Sequence, residues 1–270
     1  MEQPLPAERH RLILEVVRER HAVRVSTLSE LLAVSEVTVR RDLEDLEHRG
    51  LLERTHGGAI STHHLGVEPP YLEAVERSAS EKLEIGRAAA ELVRPGDTIF
   101  LNGGTTTLQV FRHLRVAGLR VITNHVGIAT EAADRDLELI VVGGEYRAPS
   151  NSCVGGFATQ TLRAAFASRS LIGVEGLSIR SGLTTPAAPE AEVARVMIEQ
   201  TQGPVVVVAD STKVGTIADF LIAPIEVTTT LVTDAGLDAV YRDELASVGV
   251  EVVVAGRGAP VHAGADHAEG

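Results

Sequence analysis

Between residues 81 and 255 the chain repeats one alternation, an apolar run rich in Val, Ile and Leu followed by a stretch whose apolar positions recur at helical spacing. The runs lie at 98–101, 121–123, 139–142, 171–174, 205–209, 230–233 and 250–254. A run that is apolar at nearly every position is covered on both faces, and strands joined through helices lie parallel. The reading for 81–255 is therefore a Rossmann-like α/β domain, whose ligands sit at the carboxyl ends of the strands. A chain of 270 residues with 44% hydrophobic content can bury this core and that of one smaller domain besides.

The smaller domain is read at 1–61. Leu12, Ile13, Val16 and Val17 form the inner stripe of a first helix running to about His21. Ser26 is placed as the cap of a short second helix carrying Leu28, Leu31 and Leu32. Ala33-Val34-Ser35 makes a tight turn, with Ser35 capping a third helix that ends at Gly50. Two short strands around Gly57-Gly58 complete a winged helix-turn-helix. In that motif the N-terminal end of the third helix reaches base edges, which selects Ser35, Glu36, Thr38, Arg40 and Arg41, with Arg54 and His56 on the wing. Val39, Leu43 and Leu46 are assigned to the core, and Thr38, Arg41 and Asp42 to the outer face. The alternative is that Arg40 and Arg41 form solvated ion pairs with Glu44 and Asp45. Charge does not decide the matter: residues 1–61 hold nine Arg, no Lys and eleven acidic residues, a net of −2 against −12 for the chain. Such a balance argues against nonspecific coating of nucleic acid and requires a local DNA-binding patch.

The run Val34-Ser35-Glu36-Val37-Thr38-Val39-Arg40-Arg41-Asp42-Leu43, with Arg54-Thr55-His56-Gly57-Gly58-Ala59, resembles the signature of the DeoR/GlpR-type repressor family. The resemblance implies binding of double-stranded operator DNA and repression of sugar or nucleoside metabolism genes. It extends through Gly104-Thr105-Thr106-Thr107, Thr123-Asn124, Gly143-Gly144, the helix from Glu190 to Ile198 and Asp210-Ser211-Thr212-Lys213. These resemble the family's sensor domain, similar in fold to ribose-phosphate isomerases and glucosamine-phosphate deaminases. Phosphate contacts are thereby implied for Gly104, Thr105, Thr106, Thr107 and Lys213. Asn102-Gly103 replaces the family's usual Asp-Ser, which bears on effector choice, and Ser168-Arg169-Ser170-Leu171 also departs from its pattern.

The residues themselves point the same way. Asn102-Gly103-Gly104-Thr105-Thr106-Thr107 joins a strand to a helix, so backbone amides and hydroxyls can meet an anion there; ordinary threonine capping is the alternative. Thr123-Asn124 and Gly143-Gly144 follow the next two strands, and Lys213 brings a cation to the same rim. A rim lysine is more commonly just solvated.

Residues 62–80, with Pro69-Pro70, read as a linker and 256–270 as a disordered tail. Cys153, the only cysteine, reads as a buried core thiol, so no intrachain disulfide is expected. No apolar run approaches the roughly 18 residues that span a bilayer, and the expected location is the cytoplasm. Paired winged helices are expected, hence a homo-oligomer, with no cofactor. An isomerase or deaminase drawing on Glu145, Glu175, Glu190 or Asp210 is the competing reading. Metal sensing through His56, His63, His64, His262 and His267 is disfavoured, since the spacing matches no known site.

Overall fold

The computed structural model describes residues 5–20, 22–55, 57–60, 63–64, 68–133 and 135–256. Helix α1 (Pro6–Arg20) places Ile13 and Val17, one turn apart, against the inner faces of the next two helices. Strand β1 (Ala22–Arg24) then runs directly into α2 (Val25–Leu32). The sequence puts Ser26 at the cap of α2; the structure begins this helix at Val25, preceded by extended Arg24, because pairing of β1 with another strand holds 22–24 extended. Ala33 turns the chain at φ 51°, and Ser35 caps α3 (Glu36–His48), its Oγ accepting from the Thr38 amide at 3.2 Å. Strands β2 (Glu53–Arg54) and β3 (Gly58–Ile60) follow.

Strand β1, which the sequence did not disclose, joins them in a three-stranded antiparallel sheet of order β1-β3-β2. Gly58 is required there, since a Cβ would stand 2.0 Å from the Val23 carbonyl oxygen. The sheet has two differently occupied faces. Val23 and Ala59 enter the helix core, whereas their neighbours Ala22 and Ile60 belong to an apolar cluster shared with the larger domain.

Asp42 does not project outward as its helical position suggested. It is 6% exposed and ties α3 to α1: Arg9 Nε donates to Oδ2 at 2.5 Å, Arg9 Nη2 to Oδ1 at 2.9 Å, and His10 Nε2 lies 3.1 Å from Oδ1. A two-point guanidinium fork explains why a carboxylate is tolerated on the inner side of the helix.

Beyond β4 (His63–His64) the chain forms α4 (Tyr71–Glu76), α5 (Ala79–Ala90), β5 (Thr98–Leu101), α6 (Thr105–His113), β6 (Arg120–Thr123), α7 (Val126–Glu131) and β7 (Glu138–Val141). A hairpin of β8 (Glu145–Arg147) and β9 (Ser152–Val154) precedes α8 (Gly156–Arg163) and β10 (Arg169–Gly173). Next come β11 (Gly176–Ser178), β12 (Gly182–Thr185), α9 (Ala188–Glu199), β13 (Val205–Val208), β14 (Thr216–Ile217) and β15 (Phe220–Ala223). The last elements are β16 (Thr230–Thr233), α10 (Ala239–Ser247) and β17 (Glu251–Val254).

Seven strands form one parallel sheet, ordered β17-β16-β13-β10-β5-β6-β7, and they are the seven runs read from the sequence. Alternation along each strand divides the core: Ile99, Leu101, Val206 and Val208 face α5 and α6, while Phe100, Val205, Val207 and Leu231 face α8, α9 and α10. The small antiparallel sheet β11-β12-β15 was not legible beforehand. Cys153, on β9, is only partly buried. Among the described residues no helix is long and apolar enough to cross a membrane. The tail from 257 onward lies outside the described residues.

Replacing Asp42 with Ala removes the two-point tie between α3 and Arg9 of α1, and loss of such a charge-assisted pair costs about 2–3 kcal/mol. The expected outcome is a lower urea midpoint for the transition that melts the N-terminal helices, measured by circular dichroism.

Candidate functional site

Strand order reverses between β5 and β10: the chain builds outward through β6 and β7 on one side and through β13, β16 and β17 on the other. The loops leaving β5 and β10 must diverge, which opens a crevice at their carboxyl ends. A cavity of about 380 Å³ occupies this place. Its floor is closed by Asn102, whose Nδ2 donates to the Gly173 carbonyl at 2.9 Å while its Oδ1 accepts from the Gly173 amide at 2.8 Å. An aspartate cannot make both bonds. The neighbouring Gly103 donates its amide to Asn124 Oδ1 at 2.8 Å, and a Cβ at 103 would stand 2.5 Å from that of Ser152. The two departures from the family pattern are thus matched to this floor.

Gly104, Thr105 and Thr106 line the cavity where α6 begins, and the first-turn amides of a helix have no intrahelical acceptor. Asn102, Gly103, Asn124 and Lys213 line it as well. Thr107 does not: it is fully buried beneath the loop and donates to the Asn102 carbonyl at 2.8 Å. Thr123 is likewise buried, its Oγ1 accepting from the His125 amide at 3.0 Å. Gly143 and Gly144 follow the edge strand β7 and do not line the cavity; Gly144 lies against the Val154 carbonyl.

The polar groups of the wall fall into two sets. Lys213 Nζ is 2.5 Å from Glu175 Oε2. Nearby, Lys82 is buried and donates to the Ala74 carbonyl at 2.5 Å; burial pulls its pKa down, partly offset by Asp210. Arg77 also lines the cavity. The second set is the wall carboxylates Glu68 and Glu190, bridged by Arg147, which does not itself line the cavity, with Nη1–Oε1 distances of 2.9 Å to each. Glu190 also accepts from Thr185 Oγ1 at 3.2 Å, and burial pushes its carboxyl up. Lys82 escaped the sequence reading although its position carries a signal: 82, 85, 86 and 89 share the buried face of α5, where a lysine is out of place. Glu68, Tyr71, Ala74 and Arg77, from the stretch read as a linker, also form wall.

Of the carboxylates weighed for catalysis, Glu145 is exposed on β8 outside the cavity. Glu175, Glu190 and Asp210 line it, each already engaged: with Lys213, with Arg147 and with the Thr212 amide at 3.1 Å. Among the described residues no group of His, Cys, Asp or Glu is arranged to hold a metal ion. His56, His262 and His267 lie outside the described residues, and His63-His64 forms a strand paired with Thr216-Ile217.

In the smaller domain, Ser35, Glu36, Arg40 and Arg41 are exposed and Thr38 partly so, around the start of α3. Arg40 Nη2 reaches Glu36 Oε2 at 3.4 Å, a solvated pair on adjacent turns. Arg54 is held back toward α3 by Glu47, whose Oε1 accepts the Arg54 amide at 3.1 Å. Val37, which the sequence reading passed over, is 77% exposed one turn before Arg41, an apolar group of the kind that meets thymine methyls.

Two family models match the chain: a DeoR-like helix-turn-helix domain over residues 9–64, and a DeoR C-terminal sensor domain over 77–235. Among curated relatives, the HTH-type transcriptional regulator GlpR of Haloferax volcanii is 36% identical over 250 residues, covering 92% of this chain and 98% of its own. The HTH-type transcriptional repressor GlcR of Bacillus subtilis is 31% identical, with coverage of 92% and 95%. The transcriptional repressor AccR of Agrobacterium fabrum is 33% identical, with coverage of 85% and 90%.

His125 lies beneath the cavity wall, fully buried, with Nε2 3.2 Å from the Tyr71 hydroxyl. Burial lowers its pKa from 6.5 to about 4. Between those values the unfolded chain binds the proton and the folded chain does not, so stability falls as pH drops through this window, by about 3 kcal/mol in total. Unfolding followed from pH 7 to pH 4 is expected to lose that component in His125→Gln.

Proposed function

Since the chain belongs to the DeoR family of transcriptional regulators, we propose that it is a repressor of carbohydrate or nucleoside metabolism genes, governed by a phosphorylated sugar held in the cavity at the strand-order reversal. The observation that carries this reading is the convergence of the α6 N-terminus with Arg77, Lys82 and Lys213 on one enclosed space. Unpaired amides and the helix dipole favour an anion there, and the cations supply charge-assisted bonds to its oxygens. The wall residues Glu68, Glu190 and Thr185, the two carboxylates bridged by Arg147, offer acceptors and a donor suited to hydroxyl groups. A phosphate at one set and a polyol at the other fits a sugar phosphate.

In this reading Gly104, Thr105, Thr106, Lys82 and Lys213 are the anion contacts, and Asn102, Asn124, Thr107 and Thr123 shape the loops that carry them. Engagement of the wall carboxylates in ion pairs and caps favours a sensor over a catalyst. Ser35, Thr38, Arg40 and Arg41, with Val37 and the wing's Arg54, form the surface for double-stranded operator DNA; His56 belongs with them by its place in the wing motif. A homo-oligomer reads a two-fold or repeated operator, as helix-turn-helix dimers do. The relatives named repressors, GlcR and AccR, support the direction of control.

Titration of the purified protein onto its own upstream DNA by fluorescence anisotropy, with and without a panel of sugar phosphates, tests the whole reading. A specific complex whose affinity one compound changes is the expected result; turnover of a panel member without specific DNA binding would replace the regulator by an enzyme. Arg41→Ala is expected to weaken operator binding about tenfold or more, as loss of a base or phosphate contact does, while leaving the sensor domain's unfolding transition in place. Lys213→Ala is expected to weaken binding of the effector, read by calorimetry.

A further inference from the structure

The wing sheet faces two ways, and its outward row is the unexpected one. Ala22, Ile60 and Glu53 are cross-strand neighbours in one register row, and all are buried. Ala22 and Ile60 belong to the apolar cluster that includes Leu177, Leu183 and Tyr241 of the larger domain. Glu53, 5% exposed, accepts a hydrogen bond from Ser178 Oγ at 2.6 Å. Ser178 is itself fully buried, and its Oγ accepts from the Ser181 amide at 3.0 Å. Burial pushes the Glu53 carboxyl up, which marks the desolvation that an apolar residue in the same place would have avoided.

Ser178 ends strand β11, and the other end of that strand adjoins Glu175, the partner of Lys213 in the cavity. The loop carrying Lys213 returns to the same strand, where Gly215 donates to the Leu177 carbonyl at 2.8 Å. Strand β11 is therefore held at one end by the cavity's cation and its loop, and at the other by the wing. Arg54 is next in sequence to Glu53.

We propose that the Ser178–Glu53 bond is the pin that positions the wing and passes the state of the cavity to it. An anion that draws Lys213 away from Glu175 loosens the start of β11, and Ser178 carries the displacement to Glu53 and the wing. This rests on the anion-binding reading of the cavity. It makes Glu53 and Ser178 positioning residues for DNA recognition, without requiring either to touch DNA.

Amide hydrogen exchange of the full chain, with inorganic phosphate or with chloride at matched ionic strength, tests it. In the wild type, phosphate is expected to slow exchange at 104–108 and to change exchange at 53–54 and 58–60. In Ser178→Ala the response at 104–108 persists and the wing response is lost. In Glu53→Gln, which keeps an oxygen acceptor for Ser178, both persist. A wing response that survives in Ser178→Ala, or that is missing in the wild type while 104–108 responds, overturns the pin. Absence of any response at 104–108 in the wild type sinks the anion site and the pin with it.

Discussion

Asn102 and Gly173 exchange two hydrogen bonds across the line where the parallel sheet changes direction, and the functional end of the larger domain is organised around that pair. Adjacent parallel strands normally continue their ladder through backbone groups. Here the loops after β5 and β10 must part, and a side-chain amide completes the pairing that the backbone abandons. Because an amide carries both a donor and an acceptor, it satisfies the N–H and C=O of one residue together. The separation it preserves is what leaves room for a ligand above Gly104 and the start of α6. Asn124 repeats the device one strand over, accepting from Gly103 and donating to the Cys153 carbonyl at 2.8 Å.

Charge in the cavity is handled by pairing rather than by solvent. Lys213 sits on Glu175, and Lys82 rests on a backbone carbonyl. Each cation has a partner with which an anion would compete, so under the proposed function binding would exchange contacts instead of filling a vacant hole. A ligand shifts a conformational equilibrium only by its differential affinity for the two states, and exchange of partners is one way to obtain that difference. The segment between the two domains contributes Glu68, Tyr71, Ala74 and Arg77 to the wall, so the connection to the DNA-reading domain is itself part of the cavity.

Strands of the main sheet were legible because their signal is local: each is a short run of apolar residues, buried on both faces in β10, β13 and β16, although the edge strand β7 leaves Ile140 and Val141 exposed. The cap at Ser35 and the stripe of Val39, Leu43 and Leu46 were legible for the same reason, the helical period and its first turn being properties of a few consecutive residues. Asp42 was misplaced because its partner, Arg9, stands 33 residues earlier and only the crossing of α1 over α3 brings them together. Lys82 was overlooked among the alanines of α5: its place on the inner stripe marks it as unusual, but only the cavity beyond it shows what the charge faces.

By itself the sequence determined the seven strands of the parallel sheet, the three helices of the reading head and the glycine-threonine loop, all set by periodicity and turn chemistry within a dozen residues. Tertiary structure decided which of the loop residues face the cavity and which support it: Thr105 and Thr106 face it while Thr107 turns inward. It also decided that the wing rests on the sensor. Glu53 and Ser178 are 125 residues apart, and neither position reveals its partner, because a contact between distant segments is created by packing and leaves no periodic trace in either one.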